Sequence, residues 1–266
     1  MASNRTIVVT GCSSGIGAAS AALLRQGGNT IIGVDLNDPA KESVDQFVQM
    51  DQSDSGSIEK AIAKLPDDIH GVVNSAGVPP AERFPPAHVL KVNFYGLREF
   101  TTKLLPKIAR GGAIVNLSSA AGMGWLTNIE LLKEALAITN LNDVDAYVER
   151  HEIHTEGMDN LASYALSKQL LIVWTATAHT FWKDTGVRMN ALAPSAVVTP
   201  ILDDFLAAFG EAAVQRMAAI GDISAEEIAA FVKLLLDPAY ELMNGTTIPT
   251  ERGAVNLGIM ARIDIA

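Results

Sequence analysis

Thr6-Ile7-Val8-Val9-Thr10-Gly11-Cys12-Ser13-Ser14-Gly15-Ile16-Gly17 carries a β-favouring run directly into a glycine-rich turn, and a helical apolar period begins inside that turn. The glycines are spaced G-x-x-x-G-x-G. They permit a tight turn and let backbone N–H groups reach a pyrophosphate at a helix N-terminus. The loop from Gly11 through Ser13, Ser14, Gly15 and Ile16 to Gly17 is therefore a candidate dinucleotide site, leading into a helix expected over Gly15–Gln26.

Outward from this loop, β-rich runs recur at Thr30–Val34, Phe47–Met50, Ile69–Asn74, Ala113–Leu117 and Val187–Leu192. Helical periodicity separates most of them, at Gly56–Ala63, Val89–Leu105, Leu161–Trp182 and Ala225–Leu235, the last opened by a capping box, Ser224-x-x-Glu227. With a final strand near Thr246–Pro249, the alternation predicts an α/β fold: a doubly wound parallel sheet with helices on both faces. The Thr30 and Phe47 runs lie too close for a crossover helix, so their connection reduces to a turn around Asp38-Pro39. No repeat, linker or low-complexity stretch divides the 266 residues, which fit one domain. The stretch 124–160 exceeds what a crossover needs and reads as a helical insertion. It carries a capping box at Thr127-x-x-Glu130 and a second amphipathic pattern through Val144, Tyr147 and Val148.

Hydrophobic residues make up 48% of the chain and the mean hydropathy is +0.22, which implies a large buried core. A formal net charge of −10 argues against nucleic acid or an anionic membrane as partner and leaves small molecules as the expected ligands. The single cysteine, Cys12, excludes an internal disulfide and argues against structural zinc. His151 and His154 lack a metal-ligand spacing, so no metal is expected. No apolar run approaches the ~18 residues of a membrane span, and a soluble, cytoplasmic protein is expected.

Two further features carry chemistry. Asp35 ends the second strand, close to the ~20-residue separation from the glycine loop expected of a carboxylate that bonds an adenosine ribose. Leu36 and Asn37 follow it rather than an arginine, which favours NAD(H) over a coenzyme with a 2′-phosphate. Tyr164-Ala-Leu-Ser-Lys168 places a phenol and an ammonium on one helix face, where the cation is expected to lower the phenol pKa and equip it to move protons.

The glycine loop, Asn74-Ser75-Ala76-Gly77, Ser118-Ser119, Tyr164-x-x-x-Lys168 and Pro194-Ser195 occur in one order over nearly the whole chain, and together they resemble the short-chain dehydrogenase/reductase family. The resemblance implies a Rossmann-type fold and nicotinamide-dependent alcohol/carbonyl chemistry. It implies that Tyr164 is the general acid/base, that Lys168 tunes it and bonds the nicotinamide ribose, and that Ser119 donates to the substrate oxygen. Asn93, in Lys91-Val-Asn-Phe-Tyr-Gly96, matches a fourth catalytic position that holds a proton-relaying water. By the same resemblance Ala76 and Gly77 line the adenosine-ribose side, Asp51 meets the adenine and Asn74 stabilises the sheet. Pro194 shapes the last loop, where Val197 and Thr199 hold the carboxamide and a neighbouring phosphate. Three departures stand out: Ser75 for a second asparagine, Ser195 for a glycine, and Glu251-Arg252-Gly253 for an Asp-Gly-Gly turn.

Within the family the chain is similar to the branch of coniferyl-alcohol and 3α-hydroxysteroid dehydrogenases, on its trimmed connection after Asp35, its long insertion before Tyr164 and Thr199-Pro-Ile-Leu202. Met123, Trp125, Leu126, Val197, Ile201 and Leu202 are expected to face the cleft, which favours a hydrophobic alcohol. The insertion is expected to form a lid or pocket wall, or else an interface that alters the family's tetramer toward a dimer. Two other functions share these features: a non-catalytic dinucleotide sensor, and a nucleotide-sugar epimerase or dehydratase, for whose larger C-terminal domain the chain has little room.

Overall fold

The structure is a computed structural model that describes residues 4–40, 42–155, 157 and 159–254, apart from the side chains at 212, 213 and 216. In chain order its strands are β1 (Thr6–Thr10), β2 (Thr30–Asp35), β3 (Gln46–Gln49), β4 (Ile69–Asn74), β5 (Ile108–Leu117), β6 (Arg188–Pro194), β7 (Val197–Val198), β8 (Ile223–Ser224) and β9 (Thr247–Thr250). Seven of them form one parallel sheet in the order β3-β2-β1-β4-β5-β6-β9, while β7 and β8 pair separately. The order reverses between β1 and β4, and the crevice outside the strand ends at that switch point is where such sheets bind ligands.

Helices cover both faces: α1 (Gly15–Gln26), α2 (Ser55–Ile62), α3 (Pro86–Leu90), α4 (Leu97–Leu104), α5 (Ile129–Ala137), α6 (Val144–Arg150), α7 (Ser163–Ala176), α8 (His179–Thr185), α9 (Leu202–Ile220) and α10 (Ala225–Leu236). Successive strand residues alternate between two cores. Ile7 and Val9 join Ala21 and Leu24 of α1 and Ile228 and Val232 of α10, whereas Val8 joins Ile58, Phe100 and Leu170 on the opposite face. The capping box of α10 is present as read, with Ser224 Oγ accepting from Glu227 N and Glu227 accepting from Ser224 N.

Several elements differ from the sequence reading. The expected helix Val89–Leu105 is α3 and α4 joined by a π-helical turn at Lys91–Gly96. Gly96 lies so close to Gln52 O that a Cβ would sit 1.7 Å from it, a contact no periodicity reveals. The expected helix Leu161–Trp182 divides into α7 and α8, because Thr177 Oγ1 donates to Trp174 O and competes with the backbone ladder. Thr127 forms no capping box: its hydroxyl donates to Gly124 O, and α5 starts one residue later at the cap position Asn128. Helix α9 was not expected at all. Its regular period is interrupted at Gly210, whose φ of 65° and ψ of −160° bend it.

The insertion belongs to the core. Leu132, Ala135, Leu141, Val144 and Tyr147 are buried in the same cluster as Phe94 and Leu170. Tyr95 Oη donates to Ala135 O at 3.0 Å, Tyr147 Oη donates to Leu131 O at 3.0 Å, and Lys91 pairs with Asp145. Residues 156 and 158 of the insertion lie outside the described residues. Among the described residues no helix is long and apolar enough to cross a membrane.

Candidate active site

Three glycines build the phosphate loop, each for a separate steric reason. At Gly11 φ is 70° and a Cβ would stand 2.6 Å from Ala76 N; at Gly17 it would stand 2.1 Å from Gly11 O. Gly15 takes φ 52° against Thr199. Ser14 enters α1 extended and without a side-chain cap, so the first-turn N–H groups and the positive end of the helix dipole stay open. Gly11, Ser13, Ser14, Gly15 and Ile16 line a cleft of about 490 Å³, within the range of small-molecule sites. Gly17 stands behind them as a packing position. Cys12 points into the apolar cluster beside Ile31, and burial pushes its thiol up to about 12, which removes it from cleft chemistry.

Asp35 also lines the cleft, and its carboxylate braces the loop: Oδ2 accepts from Ser13 N and Oδ1 from Asn37 N, both at 3.0 Å. The same side chain thus caps the turn after β2 and presents a carboxylate to the cleft. Leu36, Asn37 and Asp51 continue the wall, with Asp51 Oδ1 engaged by Ser53 N and Oγ. Opposite, Ser75 and Ala76 donate their N–H groups to Thr10 Oγ1 at 3.1 Å, and Ser75, Ala76 and Gly77 line the cleft. Asn74 does not line it. Its Nδ2 donates to Thr101 Oγ1 and to Asn116 Oδ1, tying β4 to α4 and β5.

At the other end Ser119, Tyr164 and Lys168 converge. The turn after β5 sits flush on α7: Ser118 Oγ donates to Lys168 O at 3.0 Å, and a Cβ at Gly122 would lie 2.7 Å from the same carbonyl. Ser119 Oγ accepts from Ala121 N and stands close enough to the Tyr164 phenol to oppose the rise of its pKa. Lys168 Nζ donates to Leu117 O at 2.9 Å and lies 5.4 Å from the Tyr164 ring centre. Asn93, wholly buried in the π-helical turn, exchanges hydrogen bonds with Val78: Oδ1 accepts from Val78 N at 2.8 Å and Nδ2 donates to Val78 O at 3.0 Å. It stands behind the cleft wall and anchors the loop that includes Gly77.

The electrostatics correct one expectation. Burial pushes the Tyr164 phenol up, opposed by the neighbouring Ser119 hydroxyl, and pushes Lys168 down to about 8. The cation does not lower the phenol here, because it contacts the ring face and a backbone carbonyl while both groups are desolvated.

The apolar wall also differs from the reading. Val197 and Ile201 line the cleft, but Met123, Trp125, Leu126 and Leu202 do not: Trp125 packs on the core and Leu126 is exposed. Phe205, Leu206 and Phe209 of α9 supply the wall instead, with Phe205 and Phe209 ring centres 5.0 Å and 6.0 Å from that of Tyr164. Arg83, Phe84 and His88 form the facing lip, and no described residue of the insertion lines the cleft. The insertion's helices pack into the core, while His154, Thr155 and Gly157 near its end stand with Glu82 and Ala208 around a separate pocket beside the lip. A tertiary contact from a helix without a regular period left no signal from which these residues were legible. Pro194, Ser195 and Thr199 line the cleft, and Ser195 takes no positive φ, so its replacement of glycine brings no strain. Arg252 does take φ 50°, and its guanidinium fills the C-terminal departure by bonding Ile220 O and Glu227.

Two family models match, one described as short chain dehydrogenase over residues 5–129 and one as enoyl-(acyl carrier protein) reductase over residues 147–254. The chain is 38% identical to a coniferyl-alcohol dehydrogenase of a Pseudomonas species, over 94% of this chain and 96% of that protein. It is 29% identical to the 3-alpha-hydroxysteroid dehydrogenase/carbonyl reductase of Comamonas testosteroni, over 93% and 95%. Among solved structures it resembles the 3-alpha-hydroxysteroid dehydrogenase from Pseudomonas sp. B-0831 complexed with NADH, with a TM-score of 0.81 and 26% identity over 96% of this chain and 98% of that one.

Proposed function

The chain belongs to the short-chain dehydrogenase family, and we propose that within it the protein is an NAD-dependent oxidoreductase, interconverting a hydrophobic alcohol and its carbonyl compound by hydride transfer in a single catalytic domain. One observation carries the reading: Ser119, Tyr164 and Lys168 meet at one end of a cleft whose other end presents Asp35 and the open N-terminus of α1. The nicotinamide, when bound, supplies or accepts the hydride. The chain's residues do the rest. The N–H groups of the glycine loop hold the pyrophosphate, and Asp35 and Asp51 face the adenosine, where they repel a 2′-phosphate.

Tyr164 gives its proton to a carbonyl oxygen, or takes one from an alcohol, while Ser119 donates to the same oxygen as charge develops. Lys168 holds the ribose, and Asn93 positions the loop through which its water would reach Lys168. A buried phenol that keeps its proton at neutral pH suits carbonyl reduction there and alcohol oxidation at higher pH. Phe205, Leu206 and Phe209 favour an aromatic or steroid-like substrate, in line with the names of the two relatives. Reading NADH formation at alkaline pH with coniferyl alcohol, 3α-hydroxysteroids and simple aryl carbinols tests this. Tyr164→Phe is expected to bind NADH normally and to lose turnover by about 10² or more; wild-type turnover in that variant, or a preference for NADP, would remove the proposal.

A further inference from the structure

Five buried side-chain oxygens have no hydrogen-bond partner among the described residues: Ser20 Oγ, Gln52 Oε1, Asn74 Oδ1, Ser163 Oγ and Thr250 Oγ1. Of these five residues only Gln52 lines the cleft. It is 5% exposed, and both its backbone and its side chain are held. Its carbonyl is pressed against Gly96, where a Cβ would sit 1.7 Å away, and Nε2 donates to Val92 O at 2.7 Å. Val92 O can only accept, so turning the amide over would set two oxygens against each other. The two ends of a planar amide diverge, which leaves Oε1 directed away from Val92 O. A buried acceptor without a donor is destabilising, and a ligand that brings the donor relieves that cost.

Gln52 belongs to the end of the cleft built from the segments that follow the paired strands β2 and β3, together with Asp35, Leu36 and Asp51. We propose that Gln52 reads the base of the coenzyme: Oε1 accepts a hydrogen bond from the exocyclic amino group of adenine, so that the site selects a 6-aminopurine dinucleotide over its 6-oxo counterpart. This assignment rests on the coenzyme reading above. Asp51, with Oδ1 already held by Ser53, presents its carboxylate beside Gln52. An amino group carries two donor hydrogens and suits a pair of acceptors, whereas a 6-oxo group would set a third acceptor against them. Gln52 takes no part in hydride or proton transfer in this scheme; it is a specificity residue.

Binding of NADH and of reduced nicotinamide hypoxanthine dinucleotide, its 6-oxo analogue, tests this on the full-length protein by nicotinamide fluorescence. The wild type is expected to bind NADH at least about tenfold more tightly than the analogue, as two acceptors facing the wrong group would dictate. Gln52→Met, which keeps the length of the side chain and removes the acceptor, is expected to shrink that ratio about three- to tenfold, the size of one hydrogen bond. Gln52→Leu should do the same. Both variants also lose the bond to Val92 O, but that loss weakens the two dinucleotides alike and leaves their ratio unmoved. A crystal structure with NADH bound is expected to place Oε1 within about 3.2 Å of the adenine amino nitrogen. An unchanged ratio in both variants overturns the assignment. So does a bound structure in which Oε1 takes its donor from an ordered water instead, and that result stands even where neither variant folds. A wild type that binds both dinucleotides equally rejects the assignment alone, whereas one that binds neither rejects the coenzyme reading and the assignment with it.

Discussion

Lys168 Nζ donates to Leu117 O at 2.9 Å and faces the Tyr164 ring at 5.4 Å from its centre, so the ammonium meets a backbone carbonyl and a π surface rather than the phenol oxygen. The consequence is a buried base under tension with its own charge. Its folded-state pKa of about 8 lies below the ordinary 10.5, which makes the protonated form a source of instability.

Replacing Lys168 by Met should therefore stabilise the protein while abolishing turnover. With both groups protonated at pH 7, the gain is at most about 3 kcal/mol. The sign follows from proton counts: between pH 8 and 10.5 the unfolded chain binds the extra proton, so the wild type recovers stability as pH rises and the difference shrinks below about 1 kcal/mol by pH 10. Urea unfolding of both proteins at pH 7 and 10 checks this. A difference independent of pH would contradict it.

Gly17→Ala places a methyl carbon 2.1 Å from Gly11 O, which the loop can relieve only by moving. NADH affinity should fall at least about tenfold, equivalent to roughly 1.4 kcal/mol, in a protein that still folds. Isothermal titration with circular dichroism separates the two effects. Wild-type affinity would show that the loop tolerates displacement.

Asp35 has two tasks that substitution can separate. Asp35→Asn keeps an acceptor for the Ser13 or Asn37 amide but removes the charge, whereas Asp35→Ala removes both. The NAD:NADP ratio of kcat/KM should drop at least about tenfold in each, with a further loss of NAD affinity in the alanine variant as the loop loosens. Equal ratios in wild type and Asn variant would mean that the carboxylate only braces the turn.

Because α5 is core, Leu132→Ala should cost about 2–5 kcal/mol in unfolding free energy and leave substrate KM unchanged. Tyr95→Phe, which leaves Ala135 O without its hydroxyl donor, should cost about 1 kcal/mol. A KM that moves while stability does not would return the insertion to the cleft.

The α/β sheet, the glycine loop and the Tyr164–Lys168 helix were legible because each is written in a contiguous pattern: β-rich runs, a turn entering a helix, and an i,i+4 spacing. The strand ends drifted by a residue or more, as at Gln46–Gln49, because local composition changes gradually there. Asn74, expected among the cofactor-binding residues, ties β4 to α4 and β5 and does not line the cleft. The apolar wall was not legible, since Phe205 and Phe209 meet Tyr164 across a large sequence separation and from a helix bent at Gly210.

The order of chemical groups along the chain, the family they resemble and the parallel alternation of strands and helices were determined by sequence alone, through spacings that backbone geometry converts directly into shared faces and turns. Tertiary structure decided which groups meet: that Lys168 faces a ring and a carbonyl, that burial raises the Tyr164 phenol, that the insertion's helices pack inward, and that Arg83 reaches Asp204. Desolvation and long-range contact depend on everything packed around a group, and no local spacing encodes them.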